Sequence, residues 1–391
     1  MSDTREFDVI VFGASGYTGR LVAEHLLKTY GAGGKVKWAV AGRSKEKLAA
    51  VRKEIGAPDT VPLVVADSND AASLEAMCRR TNAIITTAGP YQLYGSNLVA
   101  ACAKTGTDYV DLTGESHWIA QMIAAHEADA KKSGARLVFS CGFDSIPFDL
   151  GVWFVEEEAK KKFGSYAPRV RGRIRAMRGG LSGGTLASGQ ATMAAVQKDR
   201  SIARVLNDPF ALTPGFTGPE QPDGNTPYED KAVGSWVGPF MMAGINTKAV
   251  HRSNFLLGHR WGRDFRYDEM QMLDGPPKAA PAGGLTGFTL DGKMPAPGEG
   301  PTKEERDNGF YDIVFVAEYP DGRSLRAAVK GDRDPGYGST SKMLAEAALA
   351  LAFDVPRSTT PGGCWSTAAA MGPALLARLP AYAGITFGIE G

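Results

Sequence analysis

The chain has 391 residues, enough for two or three domains at roughly 150 residues each, with two the better fit. Its 44 Lys and Arg against 43 Asp and Glu leave a formal charge of +1, which argues against nucleic acid as a partner, since that needs a basic excess on one face. A composition 43% hydrophobic and 22% charged excludes wholesale disorder, and 48 glycines with 23 prolines announce a fold rich in turns.

Cys78, Cys102, Cys141 and Cys364 lie far apart with no C-x-x-C pair. They suggest neither a metal site nor a disulfide framework, and a reduced, cytoplasmic protein is the expectation. No segment approaches the ~20 uninterrupted apolar residues of a membrane span. The polar start, residues 1–6, does not read as a signal peptide. The most apolar tail, residues 368–389, is broken by Pro373, Arg378 and Pro380. It reads as a buried helix with a terminal strand, a peripheral membrane contact being the weaker alternative. The oligomeric state stays open, and a homodimer is compatible with it.

In chain order, residues 7–12 (FDVIVF) form a continuous apolar run of strand length, the pattern of a parallel strand covered on both faces. A glycine loop and a helix pattern follow. Further strands are predicted at 36–41, 61–66, 83–87, 109–112 and 137–140, with helices near 69–80, 95–105 and 116–133. Six strands alternating with helices indicate a doubly wound parallel sheet of Rossmann type. After about residue 150 the texture changes. Residues 169–177 (RVRGRIRAM) alternate charged and apolar positions, as a half-exposed antiparallel strand should. Strands at 311–319 and 324–330 are joined by the turn Pro320-Asp321-Gly322-Arg323. Residues 207–309, with Pro276-Pro277, Pro295 and Pro297, read as long loops and short elements. A helix returns at 341–353. The fold class is therefore α/β: an N-terminal Rossmann domain over 1–148, a second α+β domain with an antiparallel sheet and long loops over 149–335, and a C-terminal helix and tail, 336–391, packing back near the first domain.

Gly13, Gly16 and Gly19 form G-x-x-G-x-x-G at the first strand-to-helix junction, with Ser15, Tyr17 and Thr18 between them. The first glycine permits the tight turn, the later ones a close approach, and free N–H groups at the helix start face a pyrophosphate. Ser15 stands where G-x-G-x-x-G has its second glycine. The second strand ends in Ala41-Gly42-Arg43-Ser44, with no acid to take a ribose 2′-hydroxyl. Arg43 can instead fork onto a 2′-phosphate beside the Ser44 hydroxyl, which favours NADP(H); the bland alternative makes Ser44 a helix cap. Asp67, Ala88-Gly89-Pro90-Tyr91 and Gly142-Phe143 end later strands where a doubly wound sheet binds its ligand. No Tyr is followed four residues on by Lys, so that catalytic pair is missing. Tyr91, Tyr94 and Asp144 are the catalytic candidates. Against them stand seam packing for the two rings and a helix cap for Asp144. No metal site is indicated. His251 and His259, beside Arg252 and Arg260, read as solvated surface.

These blocks carry a resemblance to a known family. Gly13–Gly19, Ala41–Ser44, Ala88–Tyr91 and Cys141-Gly142-Phe143-Asp144-Ser145-Ile146-Pro147 resemble the saccharopine dehydrogenase-like oxidoreductases, in particular the trans-acting enoyl reductase group. Ser182-Gly183-Gly184-Thr185 and Gly336-Tyr337-Gly338-Ser339-Thr340-Ser341-Lys342-Met343 extend the likeness over nearly the whole chain. The resemblance implies an NADP-dependent oxidoreductase that transfers hydride to a small-molecule or acyl-chain substrate. A saccharopine-type amino-acid dehydrogenase and a non-catalytic NADP-binding sensor or scaffold remain the alternatives. For an acyl substrate, Phe210, Phe216, Trp236, Phe240, Met241, Met242, Phe255, Leu256, Leu257 and Trp261 are expected to supply part of an apolar groove, with plain core as the competing reading.

Overall fold

The computed structural model describes residues 5–276, 288–289, 295–296 and 298–390. Residues 1–4, Pro277 and Pro297, which entered the sequence reading, lie outside the described residues. The first sheet contains β1 (Phe7–Phe12), β2 (Trp38–Gly42), β3 (Leu63–Val65), β4 (Thr81–Thr86), β5 (Asp108–Val110) and β6 (Arg136–Val138). The second contains β7 (Arg169–Gly180), β8 (Tyr228–Asp230), β9 (Ser235–Pro239), β10 (Arg266–Leu273), β11 (Phe288–Thr289), β12 (Phe310–Glu318) and β13 (Ser324–Gly331). The tail adds β14 (Gly363–Trp365) to the first sheet and β15 (Ile385–Glu390) to the second.

The first sheet is wholly parallel, in the order β14-β6-β5-β4-β1-β2-β3. Its apolar runs have a direct cause: Val9 and Val11 enter the core on one face of β1, while Ile10 and Phe12 enter a separate core on the other. The order reverses between β1 and β4, so a crevice opens beyond their carboxyl ends. Six strands were expected here. The seventh, β14, is three residues long and lies in a Gly- and Thr-rich stretch, too short for any periodicity to show.

The second sheet runs β15-β13-β12-β7-β10-β9-β8, with β11 beside β7. It is mixed rather than antiparallel, because β10 pairs with β7 in parallel. Between the two sheets the helix Ile146–Phe163 buries Ile146, Phe148, Leu150, Val152 and Val155 in the same core as Ile313 and Phe315. A second tie joins the helix Tyr17–Tyr30 to Thr340–Leu349. There the fully buried Glu346 carboxylate accepts from His25 Nε2 at 2.8 Å, from the Tyr30 hydroxyl and from Arg378 Nε at 2.8 Å. The tail follows as the helix Thr367–Arg378 and then β15.

The loop-rich stretch departs from expectation. It holds a 14-residue helix, Ala243–Leu256, and the long strand β10. His251 and Arg252 are buried on that helix, not solvated. Burial pushes the His251 imidazole down to about 3, and Arg252 donates to the Leu212 carbonyl at 2.6 Å. Phe240, Met242 and Trp261 belong to the core between the sheets, and Phe210 packs on His251 with ring centres 4.6 Å apart. Of the ten apolar residues expected to line a groove, Phe210, Phe240, Met242 and Trp261 are thus buried, Met241 is exposed, and Phe216, Trp236, Phe255, Leu256 and Leu257 are half-buried. Among the described residues no helix is long and apolar enough to cross a membrane.

Candidate cofactor and proton-donor site

The glycine loop closes β1 onto the helix Tyr17–Tyr30. Gly13 takes φ +84°, a left-handed conformation, and its N–H donates to the Ala41 carbonyl at 3.0 Å. A Cβ at Gly13 would stand 2.9 Å from Thr87 Oγ1 and 3.0 Å from the Ala88 nitrogen. The helix starts at Gly16 without a side-chain cap, so its opening N–H groups are free for an anion. Ser15 is exposed, and its hydroxyl lies beside Gly42 at the end of β2. Arg43 is exposed there too and makes no ion pair or hydrogen bond among the described residues. Ser44 caps the helix Lys45–Glu54 through the Lys47 N–H at 3.2 Å and donates to Glu46 at 2.9 Å. An uncapped helix start, glycines that leave no room for side chains and a free guanidinium fit a dinucleotide with a 2′-phosphate. Gly13, Gly16, Thr18 and Gly19 would hold its pyrophosphate side, and Ser15 with Arg43 its adenosine side.

Tyr17 does something the sequence did not disclose. Its ring packs edge-on against Tyr337 at 5.2 Å, and its hydroxyl donates to the Pro301 carbonyl and accepts from Arg306 at 2.8 Å. Burial pushes the phenol up to about 12. Tyr17 therefore couples the glycine loop to the segment around β12 and leaves little of itself to a ligand. Asp67 folds back on its own turn, accepting from the Asn69 N–H at 2.9 Å.

At the end of β4, Ala88 is half-buried, Gly89 is exposed and Pro90 is buried. Tyr91 is buried, and its hydroxyl donates to the Thr86 carbonyl at 3.0 Å. That phenol serves the packing of the seam rather than the crevice, unlike the expectation of a donor offered to substrate. Tyr94 is 44% exposed on the short helix Tyr91–Tyr94. Gly142 and Phe143 are buried beside the helix Thr340–Leu349: the Phe143 N–H donates to Thr340 Oγ1 at 2.9 Å, and the ring packs on Tyr311 at 5.0 Å. Both are buried, and the Phe143 ring belongs to the core between the sheets.

Asp144 differs from its neighbours. Protein surrounds it on most sides, yet it keeps some access to solvent, as a residue on the floor of a crevice does. Its carboxyl has no hydrogen-bond partner among the described residues, and burial alone pushes it up to about 7. It lies near Gly114, which follows β5, and near Ile245 of the helix Ala243–Leu256. On the next residue, Asn246 donates to the buried Glu269 at 2.8 Å, and the Tyr267 hydroxyl does the same from β10. Burial holds the Glu269 carboxyl well above its ordinary range, with smaller contributions from neighbouring Asp268 and Asp144. Sequence patterns gave no hint of Glu269 or Asn246, since both sit in the stretch read as loops.

Gly180-Leu181-Ser182-Gly183-Gly184 spells G-x-S-x-G at a strand-to-helix turn. Its serine is a helix cap that accepts from the Thr185 N–H at 3.4 Å, and no histidine bonds to it among the described residues. A hydrolase nucleophile is not assembled there.

Comparison with known proteins agrees with this geometry. Residues 9–138 match the family model described as the saccharopine dehydrogenase NADP binding domain. The first sheet is thus the NADP-binding part of an oxidoreductase, with NADP(H) as its cofactor. Trans-acting enoyl reductases of Mycobacterium bovis and Mycobacterium ulcerans are each 38% identical to the chain. The first alignment covers 98% of both proteins, the second 97% of both. The chain belongs to the trans-acting enoyl reductase group of the saccharopine dehydrogenase-like oxidoreductases. Saccharopine dehydrogenase (L-Glu forming) of Saccharomyces cerevisiae shares the fold, with a TM-score of 0.55 at 13% identity, over 98% of this chain and 100% of that one.

Proposed function

We propose that the chain reduces the carbon–carbon double bond of an enoyl group on an acyl substrate, with Asp144 as the acid that delivers the proton. NADPH, when bound, supplies the hydride. Reduction of an enoyl group also consumes one proton, at the carbon next to the carbonyl. The observation that carries this reading is the unpartnered Asp144 carboxyl, pushed up to about 7 on the side of the sheet where the glycine loop opens. A carboxyl with that value is about half protonated near pH 7, far more than an ordinary aspartate, and is a competent donor. The Glu269 carboxyl nearby, pushed well above its ordinary range by burial, accepts from Asn246 and Tyr267 and is held by them. The naming of the mycobacterial relatives supports the enoyl class.

The experiment is to follow NADPH absorbance with enoyl thioesters of increasing chain length, with ketones and with saccharopine. Oxidation with the enoyl thioesters, and its loss in Asp144→Asn, is the expected outcome. Turnover of saccharopine alone, or enoyl turnover unaffected by Asp144→Asn, would overturn the reading.

A further inference from the structure

The helix Gly183–Lys198 has an odd composition for its place. It is 16 residues long, only Gly183 is buried, and its one charged residue is Lys198. A helix that merely faced water would be laced with charge pairs. Its contacts explain where it lies. At its start, the Tyr337 hydroxyl accepts from the Ser182 N–H at 2.6 Å and meets Thr185 Oγ1 at 2.6 Å, while the Tyr337 ring rests on Tyr17 of the glycine loop. Two turns on, Thr192 Oγ1 accepts from Gln92 Nε2 at 3.1 Å, just beyond the end of β4. Between these ties Ser188 stands over Gly89, so that a Cβ on Gly89 would be 3.8 Å from the Ser188 hydroxyl oxygen. Gly89 nonetheless stays exposed.

The helix therefore crosses from the carboxyl end of β1 to the carboxyl end of β4, the two strands between which a doubly wound sheet lays its dinucleotide. Thr185, Ser188 and Thr192 are three and four residues apart, which puts their hydroxyls on one face. Two of those hydroxyls are already engaged with Tyr337 and Gln92. The third, on Ser188, makes no hydrogen bond among the described residues.

We propose that this helix roofs the nicotinamide half of the cofactor crevice, and that Ser188 is the hydrogen-bonding residue it contributes. The assignment rests on NADP(H) as the cofactor and not on the enoyl substrate. An uncharged roof with short side chains leaves space above Gly89 for the ribose and ring, while a solvated charge there would draw water to the hydride.

The test uses the full chain and two variants, Ser188→Phe and Ser188→Ala, each titrated with NADPH and with adenosine 2′,5′-bisphosphate, which carries the adenosine half alone. In Ser188→Phe, NADPH affinity should fall by about tenfold or more while adenosine bisphosphate affinity holds. Ser188→Ala should show a smaller loss for NADPH only. Unchanged NADPH affinity in Ser188→Phe would overturn the proposal. So would a parallel loss of both ligands, which would make the helix a prop of the fold. If enoyl thioesters are not turned over, these dissociation constants still report on the roof, so the two readings fail separately.

Discussion

Gly19 lies so close beneath Gly13 that a Cβ on Gly19 would collide with the Gly13 carbonyl oxygen and stand 2.7 Å from Thr87 Oγ1. The loop, the helix start and the end of β4 are thus packed backbone to backbone, with no room for a methyl group. Gly19→Ala should push the helix start away from Thr87 and weaken NADPH binding, with a loss of stability of about 1–3 kcal/mol. Fluorescence titration with NADPH and urea denaturation check the two effects. A variant that binds NADPH as tightly as the wild type would show that this packing does not shape the site.

Arg43 offers the cleaner test of cofactor choice, because its guanidinium has no other partner among the described residues. Arg43→Ala should weaken NADPH binding by ~1.5–3 kcal/mol and leave NADH nearly unchanged. Equal losses for both cofactors would remove Arg43 from the 2′-phosphate.

The pH dependence follows from Asp144. Its carboxyl is raised to about 7, so the protonated, donating form predominates below that value. The kcat/KM for enoyl reduction should hold at lower pH and fall as pH rises through about 7. Asp144→Asn should lower the rate by about 10²–10⁴-fold and abolish that limb. A pH profile that keeps the limb in the variant would assign it to another group.

Gly151 is a test of the core without touching the site. A Cβ there would run into the Phe315 ring of β12, where the helix Ile146–Phe163 presses on the second sheet. Gly151→Ala should cost about 1–3 kcal/mol by overpacking, read from the shift in urea midpoint, with NADPH affinity retained in the folded fraction. A stability equal to the wild type would show that helix and sheet separate easily.

The first sheet was legible from local pattern, because parallel strands buried on both faces must be continuous apolar runs and each crossover needs its helix. The glycine loop and Arg43 were legible for a related reason: a tight turn and a phosphate fork each demand particular residue types within a few positions. No such local demand marks β14, three residues that become a strand only because β6 offers an unpaired edge. Tyr17, Tyr91 and Phe143 belong to motifs that point at a cofactor, yet their side chains are taken by Pro301, Thr86 and the Phe148–Tyr311 cluster. The composition and period of residues 207–309 read as loop, while the helix Ala243–Leu256 is held by burial of His251, Arg252 and Asn246 against partners far along the chain. Sequence determined the sheet, the glycine loop and the class of cofactor, all set by neighbours within a turn or two. Tertiary structure alone decided that Asp144 stands unpaired among apolar and acidic groups, because desolvation depends on what the whole fold brings around a carboxyl.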